Sequence, residues 1–322
     1  MYFKFFKLSK HKPMRKVFSV SQVLALCIST IIFSAQIAEA KKVKQKGGCT
    51  PVSMPASLVI DSKSGKVLHQ ENAKVQIHPA SLTKLATLKI VFEEIESGRL
   101  SLNRKLYVSK NAEKMPPTRL GLKEGETISV RDAINAVIVK SANDASVVLA
   151  EGISGSEERF AKLMTQRARA LGMHNTNFSN SSGLHHVNQK STAFDLAKLS
   201  MALKTQHPAF YPLFAQNSFE FRGKTVHGHN RVVASYEGAE GLKTGFTCPS
   251  GFNLITTASR GNKALIGIVT GSSTRVHRDQ KMVNLLDKHF GVVKIAPAPA
   301  KSKAKTIKVV NAKQKKKMIA RS

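Results

Sequence analysis

Three short polar elements, in a fixed order, constrain most strongly what this chain can fold into. They are Ser81-Leu82-Thr83-Lys84, Ser141-Ala142-Asn143 and Lys243-Thr244-Gly245. A serine and a lysine three positions apart lie on one face of a helix, where the amine can take the hydroxyl proton. This order of elements is typical of enzymes whose serine nucleophile is activated by lysine rather than by histidine.

None of the three elements is specific by itself. At ordinary residue frequencies a Ser-x-x-Lys sequence occurs by chance about once in a chain of this length. Two further matches, Ser9-Lys10-His11-Lys12 and Ser302-Lys303-Ala304-Lys305, lie in the basic end segments. The surroundings of each element therefore have to identify the functional set.

The first element stands at the start of a helical pattern. From Leu82 to Ser97 the apolar residues recur at helical spacing, and Gly98 is a stop signal. The pattern predicts a helix with Ser81 at its N-terminus and Lys84 one turn further on the same face.

The second element lies between two helical patterns. One pattern begins at Ser129 and the other runs from Ala142 to Gly152. A loop between two helices can direct Ser141 and Asn143 into a cleft.

The third element precedes two apolar runs, Phe252 to Ala258 and Ala264 to Thr270. The dipeptide Gly261-Asn262 between them predicts a hairpin of two antiparallel strands. If Lys243-Thr244-Gly245 lies on a neighbouring edge strand, that strand can hydrogen-bond an extended peptide along its backbone.

From Met54 to Gly291 the chain resembles the D,D-carboxypeptidase branch of the low-molecular-mass penicillin-binding proteins. Besides the three elements, the similar segments are Pro79-Ala80-Ser81-Leu82-Thr83-Lys84, Asn180-Ser181-Ser182-Gly183-Leu184, Ser191-Thr192-Ala193-Phe194-Asp195 and Gly241-Leu242-Lys243-Thr244-Gly245-Phe246-Thr247. Arg278 falls where the family places an arginine that faces the substrate carboxylate. Two features depart from the family. Phe246 stands where relatives often have histidine. The β-sandwich domain and amphipathic membrane helix that commonly follow are not expected in the residues after Gly291.

The resemblance implies a mixed α/β architecture of the α+β type. This is the β-lactamase/transpeptidase-like fold, an antiparallel sheet flanked by helices together with an all-helical lobe. The implied activity is removal of the terminal D-alanine from peptidoglycan stem peptides through an acyl-Ser81 intermediate, with β-lactams acylating the same serine. No cofactor and no metal are expected.

Other functions stay open to different degrees. A D,D-endopeptidase that cleaves peptidoglycan cross-links would use the same residues, so the sequence barely discriminates it. A serine β-lactamase is less favoured, because no Glu-x-x-x-Asn segment occurs between Asn143 and Lys243. A non-catalytic envelope-binding protein is disfavoured because all the chemical residues are present.

The expected catalytic residues are Ser81, Lys84 and Ser141. Burial of Lys84 next to a second cation, Lys243, would lower its pKa and make it an acceptor for the Ser81 proton. Ser141 would relay a proton from a lysine to the leaving amine, while Asn143 would hold the substrate amide and the lysine side chain.

The expected substrate-binding residues are Asn143, Lys243, Thr244, Gly245, Phe246 and Arg278. The resemblance implies an oxyanion hole made by the backbone N–H groups of Ser81 and Phe246. Thr244 and Arg278 would bind the terminal carboxylate, with arginine favoured by its bidentate geometry.

The two ends of the chain carry much of its formal net charge of +31. Residues 1–40 have a basic start, an apolar run and an Ala38-Glu39-Ala40 cleavage site, which predicts a signal peptide, with an uncleaved membrane anchor as the alternative. Residues 41–53 are interpreted as a linker, 54–291 as the catalytic domain and 292–322 as a basic Ala/Pro/Lys-rich, disordered tail. An exported chain of a bacterial periplasm or envelope meets anionic lipid and acidic wall polymers rather than nucleic acid, although the tail could also be solvated without a partner.

Two cysteines remain after the predicted cleavage, Cys49 and Cys248. An exported compartment permits a disulfide between them, but the sequence cannot place them together, and two separate free thiols are slightly favoured. The pairs His185-His186 and His227/His229 lack the spacing of known zinc sites and are interpreted as loop histidines.

Overall fold

The structure, a computed structural model, describes residues 53–292. Its strands are β1 (Ala56–Asp61), β2 (Val67–Glu71), β3 (Lys105–Tyr107), β4 (Thr127–Ser129), β5 (Ser218–Phe221), β6 (Lys224–His227), β7 (Ala239–Thr247), β8 (Gly251–Arg260) and β9 (Lys263–Ser272). Five of them form an antiparallel sheet in the order β2-β1-β9-β8-β7, and β3–β4 and β5–β6 form two small hairpin sheets. The strand β7, which carries Lys243-Thr244-Gly245, is therefore an edge strand of the main sheet, as predicted.

The helices are α1 (Lys84–Glu96), α2 (Lys110–Glu113), α3 (Val130–Asn135), α4 (Asn143–Ser154), α5 (Glu157–Ala170), α6 (Ala193–Gln206), α7 (Arg231–Ser235) and α8 (Arg275–Phe290). Two 3₁₀ turns (Ala80–Thr83 and Tyr211–Ala215) and one π-helical turn (Ala136–Lys140) interrupt this series. The chain thus combines an antiparallel sheet flanked by helices with a helical lobe, which is the predicted architecture.

The β8–β9 hairpin is where the sequence places it. Arg260 pairs with Lys263, which leaves Gly261-Asn262 as a two-residue turn. Both strands are buried on both faces because helices cover the sheet on each side. On one face, Met282 and Leu286 of α8 pack into a small core, while α6 and the helical lobe form the larger core on the other face.

The first motif element differs from its predicted geometry. A helix was predicted to start at Leu82, but Ala80–Thr83 forms a tighter 3₁₀ turn and the α-helix begins only at Lys84. Ala80 has a φ of +49°, and this turn packs against Gly183 and Gly245 from distant parts of the chain. Such tertiary contacts override a local periodicity that is otherwise followed up to the stop at Gly98.

The second motif element lies between two helices, as predicted, but the preceding helix changes its winding. Ser129 caps the N-terminus of helix α3, and its hydroxyl accepts a hydrogen bond from the Asp132 amide at 3.0 Å. The predicted continuation becomes a π turn, and Ser141 ends it with a φ of +60° before α4 begins at Asn143. Single π turns inside helices occur frequently at functional sites, and this one places Ser141 outside regular structure.

Within residues 53–292 no helix is long and apolar enough to cross a membrane. The predicted signal segment, most of the linker, Cys49 and the basic tail after Val292 lie outside the described residues. Those interpretations, and the domain boundaries built on them, stay predictions.

Candidate active site

A cleft of about 420 Å³ lies where the 3₁₀ turn, the loop before α4, the edge strand β7 and the start of α8 meet. Seven of the nine predicted site residues line it: Ser81, Ser141, Asn143, Thr244, Gly245, Phe246 and Arg278. The other two, Lys84 and Lys243, are buried, with exposed fractions of 0% and 2%. The structure therefore brings the three motif elements together at one place.

The 3₁₀ turn that contains Ser81, residues Ala80–Thr83, has two close contacts with glycines. A Cβ on Gly183 would meet the Ala80 carbonyl oxygen at 1.9 Å, and Gly183 also has a φ of +84°. A Cβ on Gly245 would lie 3.2 Å from the backbone nitrogen of Ser81. At Gly183 only glycine permits this close approach, whereas a side chain at Gly245 would require its neighbours to shift by a few tenths of an ångström.

The Lys84 amine has three oxygen partners. Its Nζ lies 3.2 Å from Ser81 Oγ and 2.7 Å from Asn143 Oδ1, and it also donates to the carbonyl of Ser182. An ammonium group has three N–H donors, so its hydrogen-bonding capacity is filled. A neutral amine has two N–H donors and one lone pair.

The amide of Asn143 is oriented by a second contact. Its Nδ2 donates to the Pro116 carbonyl at 2.8 Å, so Oδ1 must be the atom that faces Lys84. Neither Asn143 Oδ1 nor the Ser182 carbonyl can donate a hydrogen, so both require an N–H of Lys84. In the neutral amine the lone pair is then left for the Ser81 hydroxyl, the partner that can donate.

Both buried lysines have lowered pKa values. Burial and then the charge of Lys243 lower the pKa of Lys84 well below its usual value, against smaller opposing effects of Asp144 and Glu157. Burial, followed by the charge of Arg278, lowers the pKa of Lys243 to about 7. The two conditions expected from the sequence, burial of Lys84 and a second cation nearby, are both met.

Ser141 has a free hydroxyl in this geometry. Its Oγ is buried and has no hydrogen-bond partner among the described residues, while its carbonyl accepts from Thr118 Oγ1 at 2.9 Å. The Lys243 amine donates to the Thr244 carbonyl at 3.2 Å. The structure therefore contains no direct hydrogen bond for the relay through Ser141, and its hydroxyl stays available within the cleft.

A buried carboxylate supports this side of the cleft. Asp144 is fully buried and accepts from the backbone amides of Leu120, Gly121 and Leu122 at 2.8–3.1 Å. It thereby holds the loop that contains Pro117 and Thr118, two cleft-lining residues. Asp144 follows the Ser-x-Asn element directly, yet nothing in its sequence position predicts these contacts.

The segment 180–184, one of the segments on which the family resemblance rests, supplies backbone carbonyl oxygens that accept hydrogen bonds from the surrounding helices. Thr87 and Ser146 both donate to the Ser181 carbonyl, at 2.7 and 2.8 Å. The Ser181 amide and hydroxyl in turn donate to Glu157 at 3.0 and 2.7 Å. These bonds tie α1, α4 and α5 to the segment and fix the Ser182 carbonyl against Lys84.

Arg278 lies in the cleft wall but is already engaged. Its Nε and Nη2 both donate to Asp279 Oδ1, at 2.8 and 2.6 Å, and it is only 3% exposed. One bidentate edge of the guanidinium is therefore taken by Asp279. The expected bidentate grip on a substrate carboxylate would have to use the remaining N–H groups.

An aromatic pair also lines the cleft. The ring of Phe246, 46% exposed, stacks on Phe252 with ring centroids 4.3 Å apart. The backbone of Phe246 follows Gly245 on the edge strand, next to the Ser81 turn. This places the two expected oxyanion-hole residues on neighbouring segments.

Two cleft residues with a titratable or charged side chain received no functional role in the sequence analysis. His229 lines the cleft from the loop after β6, and Arg275 lines it from the first residue of α8. The interpretation of His229 as a loop histidine was right about its location but gave it no role. Neither residue belongs to a motif, so only the fold could find them.

The preference for two free thiols was wrong, because Cys248 is disulfide-bonded. Cys49, the candidate partner, lies outside the described residues. Sequence separation hid the proximity of the two regions: the Ser53 amide donates to the carbonyl of Pro249, the residue after Cys248, at 3.0 Å.

Comparison with known proteins gives a consistent result. The sequence profile of the D-alanyl-D-alanine carboxypeptidase family matches residues 41–274. The chain is 32% identical over 266 residues to D-alanyl-D-alanine carboxypeptidase DacF of Bacillus subtilis, covering 81% of this chain and 68% of that protein. It is 36% identical over 236 residues to DacD of Escherichia coli, covering 71% of this chain and 61% of that protein.

One solved structure and one further relative extend the comparison. The ampicillin-bound penicillin-binding protein D2 of Listeria monocytogenes superposes with a TM-score of 0.68 at 32% identity, covering 73% of this chain and 96% of that one. The chain is also 31% identical over 221 residues to a D-alanyl-D-alanine endopeptidase of Pseudomonas aeruginosa, covering 64% of this chain and 67% of that protein. The resemblance seen in the sequence and the predicted fold class are confirmed.

Proposed function

Because the chain belongs to the D-alanyl-D-alanine carboxypeptidase family, we propose that it removes the terminal D-alanine from peptidoglycan stem peptides through an acyl-Ser81 intermediate. The observation that carries the proposal is the geometry of Lys84. Its amine is buried, it lies 3.2 Å from Ser81 Oγ, and its two other partners are oxygens that can only accept. A lysine in this state has a lone pair that can be directed to the nucleophile's proton.

In the acylation step, Ser81 Oγ attacks the carbonyl carbon of the penultimate residue while its proton moves to Lys84. The backbone N–H groups of Ser81 and Phe246 stabilise the oxyanion, and each such donor typically contributes about 3 kcal/mol to the transition state. Ser141, whose hydroxyl has no other partner among the described residues, passes a proton to the departing D-alanine amine. Water then hydrolyses the acyl-enzyme with Lys84 acting as base again.

Substrate binding uses the edge strand and the cleft walls. An extended peptide adds antiparallel to β7 by backbone hydrogen bonds. The second N–H of Asn143 Nδ2 contacts the substrate amide. Thr244 and Arg278 bind the terminal carboxylate.

The same serine is the proposed site of β-lactam acylation. Support comes from the structures of the Listeria relative with bound ampicillin and cefotaxime, which are 32% and 33% identical to this chain. A β-lactam therefore provides a measurement of Ser81 reactivity that does not depend on the peptide substrate.

A second candidate function is D,D-endopeptidase cleavage of peptidoglycan cross-links. The similarity to the Pseudomonas endopeptidase favours it, since the same catalytic groups would serve both reactions. The two activities differ in how large a leaving group the cleft admits.

We further propose that the enzyme works in the bacterial periplasm or cell envelope and that its C-terminal tail binds anionic lipid or wall polymer. After Ile295 the sequence contains nine lysine and arginine residues and no acidic residue. Each basic residue close to an anionic membrane contributes about 1 kcal/mol of attraction.

The test of the main proposal uses the purified protein from Lys42 to Ser322. It is incubated with diacyl-L-Lys-D-Ala-D-Ala and with a cross-linked muropeptide, and D-alanine release is compared with cleavage of the dimer. Ser81→Ala should abolish release of D-alanine and covalent labelling by a fluorescent penicillin. Labelling that persists in this variant would place the nucleophile elsewhere, and dimer cleavage without D-alanine release would favour the endopeptidase.

A further inference from the structure

The arginine expected to recognise the substrate carboxylate is neutralised within the protein. Arg278 and Asp279 form a partly buried ion pair with an N···O distance of 2.6 Å, and Arg278 Nη1 donates to the Asn253 carbonyl at 3.5 Å. The pair has no net charge. A carboxylate entering this end of the cleft therefore needs a second cation to balance it.

Arg275 meets this requirement. It lies three residues before Arg278, on the same face of α8, and it lines the cleft. Its side chain is exposed and makes no hydrogen bond or ion pair with another described residue. A cation at the first position of a helix also opposes the helix dipole, so local structure gives no reason for an arginine here.

His229 offers a polar atom from another wall of the same cleft. Its Nε2 is buried and has no hydrogen-bond partner among the described residues. Of the unpartnered buried side-chain atoms recorded for residues 53–292, only Ser141 Oγ and His229 Nε2 belong to cleft-lining residues. Ser141 belongs to the second motif element. Like Ser141, His229 lines the cleft and has a buried polar atom without a partner among the described residues.

The position of His229 is fixed by its two neighbours. The Gly228 amide donates to the Asn217 carbonyl at 2.7 Å, and Asn230 Oδ1 accepts from the Val233 amide at the start of α7. An unsatisfied nitrogen on a fixed loop is costly unless a ligand pairs with it.

The electrostatic surroundings of His229 favour an anion. Burial has the largest effect and lowers the pKa of His229. The nearby positive charges of Lys243, Lys140 and Arg275 lower it further. The ring is therefore neutral near pH 7, with one N–H to donate. A carboxylate beside Nε2 selects the tautomer that carries the proton there.

We propose that Arg275 and His229 complete the carboxylate subsite of this cleft, binding the carboxylate of the leaving group beside Thr244 and the neutralised Arg278–Asp279 pair. This inference rests on the proposed peptidase function and names the residues that set its preference for a free C-terminus. Arg275 supplies the net charge, and His229, on the loop after β6, supplies a directional N–H.

The test compares two peptides that differ only at the C-terminus. Diacyl-L-Lys-D-Ala-D-Ala is used with a free carboxylate and as its amide, and kcat/KM is measured for each with the same protein. Arg275→Gln should lower kcat/KM for the free acid about 10- to 100-fold, the effect of one hydrogen bond to a charged group. For the amide the decrease should be at most about threefold.

Arg231→Gln is the matched control. Arg231 is also exposed, is also the first residue of a helix and also lies near Arg278 electrostatically, but it does not line the cleft. This variant should change both peptides equally and by at most about threefold. If it reduces the preference for the acid as much as Arg275→Gln does, the effect is general electrostatics and the proposal is wrong.

Two substitutions separate binding by His229 from mere packing. His229→Phe keeps an aromatic ring but removes the N–H, and should lower kcat/KM for the acid about tenfold. His229→Gln can place an amide N–H close to the former Nε2 and should restore most of that loss. A glutamine variant as impaired as the phenylalanine variant, with equal losses on acid and amide, overturns the role of His229.

Penicillin acylation distinguishes failure of this inference from failure of the proposed function. Benzylpenicillin and its methyl ester present the same ring with and without a charged carboxylate, and labelling of Ser81 needs no peptide turnover. Arg275→Gln should slow labelling by the acid more than labelling by the ester. Wild-type protein that labels but releases no D-alanine refutes the peptidase proposal alone, and equal slowing of both labels refutes the subsite. If the wild type neither labels nor turns over peptide, both proposals are wrong.

Discussion

Substitution of Gly183, which contacts the 3₁₀ turn Ala80–Thr83, tests most directly how the fold positions Ser81. In Gly183→Ala the new Cβ would lie 1.9 Å from the Ala80 carbonyl oxygen and 2.9 Å from the Ser81 nitrogen. Since real Cβ atoms essentially never come closer than 3.0 Å to another heavy atom, the two segments must separate by about 1 Å. The obstacle is backbone, which cannot rotate away as a side chain would.

Two costs add up in this variant. A φ of +84° is unfavourable for alanine by about 1–2 kcal/mol, and forcing a methyl group into a packed interior costs a further 1–3 kcal/mol or so. A displacement of about 1 Å at the reacting atoms can lower the rate by about 100-fold. We therefore expect Gly183→Ala to lose about 2–5 kcal/mol of unfolding free energy and to acylate about 100-fold more slowly.

Gly223→Ala is the matched control. Gly223 has a φ of +72° in the turn between β5 and β6, but a Cβ there would meet nothing within 4 Å. It should lose only the 1–2 kcal/mol or so of backbone strain and react with penicillin at the wild-type rate. Denaturant unfolding and the rate of fluorescent-penicillin labelling measure the two effects. Equal stability losses, with a wild-type labelling rate for Gly183→Ala, would show that the close approach does not position the nucleophile.

Two further predictions concern Lys243, the buried lysine of the third motif element, and the basic C-terminal tail. Because the pKa of Lys243 is about 7 in the folded protein and about 10.4 when unfolded, the unfolded state binds more protons between these values, so stability rises with pH there. Lys243 should contribute at most about 1.4 kcal/mol per pH unit to this slope. Denaturant unfolding of Lys243→Met from pH 7 to 10 should therefore show a smaller slope than the wild type, while the contribution from the burial of Lys84 remains; identical slopes would contradict the assignment. Deleting residues 295–322 should leave kcat/KM on a soluble peptide unchanged but weaken co-sedimentation with anionic vesicles or sacculi, with salt weakening the full-length protein more. Identical sedimentation of both forms across a salt series would leave the tail without a targeting role.

The motif elements, together with the patterns around them, predicted the hairpin after the third element and the placement of Ser81 and Lys84 on one face. These features depend on local patterns: the period of apolar residues from Leu82 to Ser97, and the turn at Gly261-Asn262. The 3₁₀ turn at Ser81 could not be predicted in this way, because it is imposed by Gly183, about a hundred residues further along the chain.

The arrangement of the cleft walls was harder to predict from the sequence than the convergence of the three motif elements. The pairing of Arg278 with Asp279 involves adjacent residues, yet a sequence does not reveal whether an arginine turns to its neighbour or to a ligand. His229 becomes notable only when its nitrogen is seen to be buried without a partner among the described residues. Cys248 shows the same limit, since its disulfide depends on which distant segment folds beside it.

The lowered pKa of Lys84 also suits the proposed mechanism, in which this one side chain serves both acylation and hydrolysis. A lysine at its ordinary pKa of about 10.4 would be protonated near neutral pH and could not accept the Ser81 proton. Once a buried amine has taken that proton, it lies in an environment that disfavours its charge. It is then a stronger acid than an exposed ammonium group, and it can release the proton again before water attacks the acyl-enzyme.

The proximity of Lys243 to Lys84 also affects how many protons the two lysines carry together. Lys243 disfavours the charge on Lys84, so the pair resists carrying two positive charges at once. In the proposed mechanism, a proton taken up by Lys84 is therefore readily passed on toward the leaving amine. Ser141, whose hydroxyl has no hydrogen-bond partner among residues 53–292, is the proposed relay. An arginine at position 84 could not take part, because its guanidinium stays protonated in proteins. The chemistry thus requires lysine for its ability to lose a proton when buried, and the fold provides that burial.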